Sequence, residues 1–227
     1  VCDVNVTEAV QARKSVRAFL SRPVPEAAIR KILSDAARAP SGGNVQPWKT
    51  YVMAGAVRDA LVQSLREKWA AGNFGEGTEY KIYPDDLGEP YMSRRRDVGF
   101  KLYELAGIAR EDKIGRMKQM FRNFELFDAP VCMIFTIDRN MGAPQWADLG
   151  MYIQTIALLA LDHGLASCMQ EAWANWHKTL TQMLSIPDHE MVFCGLALGY
   201  EDTSAAVNTL RSERAGLQDV RFFGFET

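Results

Sequence analysis

Cysteine, histidine and surplus charge are all scarce in this chain. Cysteine occurs four times, at Cys2, Cys132, Cys168 and Cys194, and never as CxxC. The last three sit inside apolar stretches, so they read as small buried hydrophobes in a reducing compartment, not as a disulfide framework. His163, His177 and His189 have no ligand spacing, HExxH is absent and no carboxylate pair forms a metal pattern, which argues against a metal enzyme. A formal net charge of −2 gives no reason to expect nucleic acid or a membrane surface. No apolar run approaches the length of a membrane span, and the first residues carry no signal-peptide core. The expected location is cytoplasmic, although numbering from Val1 leaves room for a removed leader. Repeats, linkers and low-complexity segments are missing too, so 227 residues are expected to form one α+β domain, 1–227.

What is present is a clear succession of short elements. Thr7 to about Lys14 forms a short helix with Thr7 as its cap. Pro25 suits the first position of the next helix, where Ile29, Ile32, Leu33, Ala36 and Ala37 recur at helical spacing until Pro40 stops it. Thr50–Met53 is a strand, and a helix from about Val57 puts Val57, Leu61, Leu65 and Trp69 on one stripe. Residues 72–90, rich in Gly, Pro and Asp, form a long irregular segment of the kind that is usually functional or mobile. Helices follow over Tyr91–Ile108 and Glu111–Phe124. Val131–Ile137 and Met191–Gly199 are strands buried on both faces, and Ala166–Met169 is a shorter one. Gln145–His163, apolar around more than half its circumference, is a central or interface helix, and Trp173–Leu184 is helical. Leu217–Phe225 favours a strand with no nearby hairpin partner, so it is expected to pair with a second subunit.

The chemistry gathers in a few places. The loop Pro40-Ser-Gly-Gly-Asn-Val-Gln-Pro-Trp48 combines fixed backbone, the amides of Asn44 and Gln46, and the flat Trp48 ring. That combination suits a planar heterocycle such as a flavin, although most such loops are only turns. Arg13, Lys14 and Arg17 flank Ser15, and Arg211 and Arg214 stand near the other terminus. Brought together, they would bracket a phosphate monoester and leave Arg17 to face a ring. Taken alone, Arg211 and Arg214 fit surface solvation equally well, and the run Arg94-Arg95-Arg96 reads first as a solvated face.

The stretches Arg13-Lys-Ser-Val-Arg17, Pro40 to Trp48, Gly195-Leu-Ala-Leu-Gly-Tyr200 and Leu210-Arg-Ser-Glu-Arg214, in that order, resemble the nitroreductase superfamily. Gly107 to Asp112 and Phe127 to Pro130 are similar to its nitrobenzoate-reductase-like branch. The resemblance implies a mixed central sheet wrapped by helices in an intertwined homodimer, with FMN at the interface. It also implies NADH or NADPH as electron donor and a small aromatic nitro compound as acceptor, reduced by ping-pong hydride transfer. Arg13, Lys14, Ser15 and Arg17 would then reach the phosphate, the ribityl chain and the N1/O2 edge. Pro40, Ser41 and Gly42 would approach from the partner, with Asn44 and Gln46 beside the flavin. Cys168, Met169, Gln170 and Glu171 would run along the N5 side, and Arg211 or Arg214 would hold the phosphate. No acid–base pair is implied, so no catalytic side chain is singled out. Residues 72–125 would act as a lid over the acceptor, with Arg94–Arg96 favouring an anionic nitrobenzoate, and 217–227 as a tail embracing the partner. The alternatives are another reductase of the superfamily, acting on enones, quinones or halogenated substrates, or a flavin-binding protein without turnover.

Overall fold

The computed structural model describes residues 5–224, so expectations for Cys2 and for the tail beyond Gly224 fall outside it. Strand β3, Val131–Asp138, is the axis of the fold. Its side chains alternate between two apolar cores: Cys132 and Ile134 face one, while Val131, Met133, Phe135 and Ile137 face the other. A strand covered on both sides has no polar face to present, which is why its sequence is an unbroken apolar run. β3 pairs on one edge with β2, Trp48–Ala54, and on the other with β5, Glu190–Glu201. β5 also carries β1, Phe19–Leu20, and β4, Ala166–Gln170. Every strand pair among the described residues is antiparallel, and the parallel contribution to the mixed sheet is a single bridge, Ser15 to Ser167.

Helices cover both faces. On one lie α2, Glu26–Ala36, through Ile29 and Ile32, and α6, Ala143–Asp162, through Leu149, Tyr152, Ile153 and Ile156. On the other lie α3, Gly55–Ala70, through Leu61, Val62 and Leu65, and the segment ending in α7, His177–Leu184, through Trp173, Trp176 and Leu180. β5 has Gly195 beneath Trp173, and any side chain there would enter the indole ring. Helices α4, Tyr91–Leu105, and α5, Lys113–Phe121, lie further out: α4 has no buried residue and α5 buries only Phe121.

Several boundaries differ from the sequence expectation, each for a local reason. Helix α1, Val6–Ala12, is capped by Asn5, not Thr7: the Asn5 side chain accepts from Glu8 N at 3.0 Å and the Glu8 carboxylate accepts from Asn5 N at 3.2 Å. It stops at Ala12 because the next residues turn extended, and Val16 N donates to Ser167 O at 3.0 Å. Pro25 caps α2 instead of opening it. Val57 is exposed, off the buried stripe of α3. α4 ends before Ile108 because Gly107 takes φ +68° and Ile108 N closes onto Tyr103 O. The expected helix over Trp173–Leu184 is a 3-10 segment, Glu171–Trp176, followed by α7. The described part of the expected strand Leu217–Phe225 is a 3-10 turn at Leu217–Asp219 followed by irregular backbone. A strand needs a neighbouring strand to take its backbone hydrogen bonds, and this segment pairs with none among the described residues.

Gly195→Ala tests this packing. It is expected to lower stability by about 1–3 kcal/mol in chemical denaturation, the usual penalty for overfilling a tight core.

Candidate functional site

The segment after α1 is held in place by its backbone. The Ser15–Ser167 bridge lays residues 15–17 along β4, so Arg17 and Ser15 come up against Cys168. The buried side chain of Asn208 fastens the C-terminal segment to the same place: it accepts from Arg17 N at 2.7 Å and donates to Ala18 O and Asp202 O, both at 2.8 Å. One amide thus serves three main-chain groups, of which Ala18 O and Asp202 O also accept from the N–H groups of Asp202 and Ala205. Two residues further on, Leu210 is buried and Arg211 turns back, its Nη1 donating to Gln11 O at 3.0 Å and Ala12 O at 2.9 Å. A cation at the carbonyl end of α1 is favourable in itself.

The result is a cleft of about 430 Å³ into which Arg13, Ser15, Arg17, Arg211 and Arg214 all project. Lys14 lines it as well, but its ammonium is engaged by Glu201 at 2.6 Å and Asn208 O at 2.6 Å. Arg13 makes no side-chain hydrogen bond or ion pair among the described residues. Burial, together with the charges of Arg214 and Arg211, holds its guanidinium below the ordinary arginine range. Arg214 uses Nη1 on Ser212 and Glu213 O. Three guanidinium groups facing one another with no carboxylate between them form a receptor for a multiply charged oxyanion such as a phosphate monoester.

From Arg17 the site continues along β4. Burial pushes the Cys168 thiol up to about 11, against the opposing pull of Arg17 and Ser15, so it stays protonated at neutral pH. Met169 is half-buried, and Glu171 is exposed at the start of the 3-10 segment. Gln170 turns away from the cleft: its amide donates to Asn123 O at 2.6 Å, and Trp173 Nε1 donates to its oxygen at 3.2 Å.

The loop over Pro40, Ser41, Gly42, Asn44 and Gln46 does not join this cleft. It lies exposed against α6, with Gly42 N donating to Asp148 Oδ2 at 3.2 Å and Gln46 N to Ser41 Oγ at 3.0 Å. Gly43, Asn44 and Gln46 all adopt positive φ, so its shape is fixed by three left-handed residues. The cleft, by contrast, takes Gln154 from α6. Asp148 and Gln154 are about 9 Å apart along the axis and about 120° apart around it, so loop and cleft use different faces of the helix. Trp48 stacks on Tyr152 at 4.7 Å, so one ring face belongs to the core and not to a ligand.

The irregular stretch after α3 is fastened at its start. Glu76 accepts from Thr179 N at 3.0 Å, Glu79 pairs with Arg139 at 2.8 Å, and Tyr80 OH donates to Phe193 O. Of the arginine triplet, Arg94 and Arg95 line a second cleft that shares Arg214 with the first, while Arg96 turns to Ser93 and Asp97. Asn208, Gln154 and Val98 have no sequence signal of their own, since each acts through main-chain partners or through its place on a helix.

Residues 10–200 match the Nitroreductase family. The chain belongs to that family. Among its nitroreductase relatives, it is 35% identical over 97% of both chains to a chloronitrobenzene nitroreductase of Comamonas testosteroni. It is 37% identical to a 4-nitrobenzoate reductase of Pseudomonas putida, covering 96% of this chain and 95% of that one. In structure it is similar to the FMN and NADPH-dependent nitroreductase NfnB of Sphigopyxis sp. strain HMH, with a TM-score of 0.93, 44% identity, and coverage of 97% and 100%. No helix among the described residues is long and apolar enough to cross a membrane.

Asn208→Ala is expected to cost about 1–3 kcal/mol, because it leaves the Arg17 N–H without its acceptor and takes one of two donors from Ala18 O and Asp202 O. Thermal or denaturant unfolding measures the loss.

Proposed function

We propose that this protein is an FMN-dependent oxidoreductase that takes electrons from NADH or NADPH and reduces nitroaromatic compounds of the nitrobenzoate kind. The observation that carries the reading is the clustering of Arg13, Arg211 and Arg214 in one cleft with no carboxylate to neutralise them. Family membership and relatives named for nitroarene reduction agree with it.

The residues present fit FMN. Arg13, Arg211 and Arg214 hold the phosphate, Ser15 contributes a hydroxyl beside it, and Arg17 sets positive charge toward the Cys168 end, where a reduced ring carries negative charge. Bound there, FMN supplies the two-electron relay between nicotinamide and nitro group. Cys168 keeps its proton and takes no nucleophilic part. Gln170 positions β4 through Asn123 and Trp173 instead of meeting the ligand. Protons for the acceptor come from water, and no protein acid is assigned that task.

The functional unit in this reading is a homodimer. Pro40, Ser41, Gly42, Asn44 and Gln46 reach the cofactor from the second subunit, which accounts for a rigid, exposed loop lying outside its own chain's cleft. Exposed Leu217, Val220, Phe222 and Phe223 in the tail suit coverage by a partner, and so does the outer edge of β2, which bears no strand among the described residues. Residues 81–125, beyond the fastened stretch, act as the lid over the acceptor. Three free, buried thiols agree with a reducing, cytoplasmic setting.

The test is an anaerobic visible spectrum during titration with NADPH or NADH, followed by 4-nitrobenzoate. A yellow protein should bleach with the donor and regain its colour with the nitroarene; a colourless protein that FMN does not reconstitute overturns the reading. Replacing both Arg13 and Arg214 by alanine is expected to weaken FMN binding by about 100-fold or more, read by fluorescence of released flavin, since two charge-assisted contacts are removed.

A further inference from the structure

Beside the arginine cleft lies the second one, of about 680 Å³, bordered by the same Val98, Ser212 and Arg214. Tyr83 and Tyr91 give it aromatic walls, and Arg94, Arg95 and Lys101 of α4 add charge. These cations are not equally engaged. Lys101 is bound to Glu213, and Arg94 stands 3.5 Å from Asp219. Arg95 has neither a hydrogen bond nor an ion pair among the described residues; its guanidinium carbon lies 4.1 Å from the centre of the Tyr83 ring. Stacking fixes the guanidinium plane and leaves its edge donors pointing outward. Asp97 and Glu213 also line the cleft, but Lys101 already neutralises Glu213. An immobilised guanidinium with unused donors beside two tyrosine rings suits a ligand that is both an aromatic base and a phosphate.

The two clefts meet at Val98, Ser212 and Arg214, so one ligand can occupy both only if it is long enough to pass that border. A dinucleotide is an elongated ligand of that kind, and a single-ring acceptor is not. We propose that the second cleft receives the adenosine-phosphate end of the donor and that Arg95 recognises the 2′-phosphate, making NADPH the preferred electron source. This inference rests on the reductase reading above and adds a specificity-determining residue to it.

The direct test is calorimetric titration of the purified holoprotein with 2′,5′-ADP and with 5′-AMP. The bisphosphate should bind about tenfold more tightly, and Arg95→Ala should bring the two affinities together, since one charge-assisted pair is lost. In steady-state assays the same variant should raise the KM for NADPH by a similar factor. Equal affinities in the parent protein, or a difference that survives in Arg95→Ala, overturn the assignment. So does a rise in KM confined to 4-nitrobenzoate, which would give the cleft to the acceptor. Nucleotide binding is read here without turnover, so a failure of the nitroarene reaction remains distinguishable from a failure of this inference.

Discussion

Guanidinium groups repel one another, and the fold brings Arg13, Arg211 and Arg214 together in a cleft that no carboxylate lines. It does so with hydrogen bonds to the main chain. Asn208 ties the C-terminal segment to the backbone of residues 17 and 18, and Arg211 is anchored on the carbonyls that end α1. The crowding of like charges is thus opposed by hydrogen bonds made within the chain. For the phosphate proposed to bind there, such anchoring leaves little reorganisation to be made.

That anchoring is only as firm as the sheet behind it. Ser15 leans on Ser167 in β4, β4 pairs with β5, and β5 with the doubly covered β3. Gly195 beneath Trp173 and Gly199 against Pro130 and Phe19 let β5 run close under its cover on the side where β1 and β4 attach. The cleft therefore stands on a deeply buried part of the chain, while the segments proposed to admit substrate, α4 and α5 with the irregular stretch before them, lie outside it and contribute few buried residues.

Periodicity made the core legible. Val131–Ile137, Met191–Gly199 and the apolar stripe of α6 were readable because burial on a regular element imposes a repeat. Arg13, Arg17, Arg211 and Arg214 were readable as chemistry, and nothing but tertiary structure could show that they meet. Asn208 was invisible, since an asparagine that serves main-chain groups looks like any turn residue. Gln170 and Trp48 carry ligand-like side chains whose partners the sequence could not show: both are engaged by neighbours distant along the chain, Asn123 and Tyr152. The described tail beyond Leu217 has strand-forming residues but pairs with no strand among the described residues, so propensity alone could not fix its conformation.

None of the Pro40–Gln46 residues lines the arginine cleft of its own chain, and the two-chain site proposed on that ground would have an unusual heredity. A chain damaged only in the loop and a chain damaged only at Arg13 would each be inert as pure populations. Mixed in one cell, they would assemble particles in which one of the two sites takes its loop and its arginines from intact copies. Two loss-of-function alleles would then rescue each other in part, whereas a single allele damaged at both places would poison every assembly it enters.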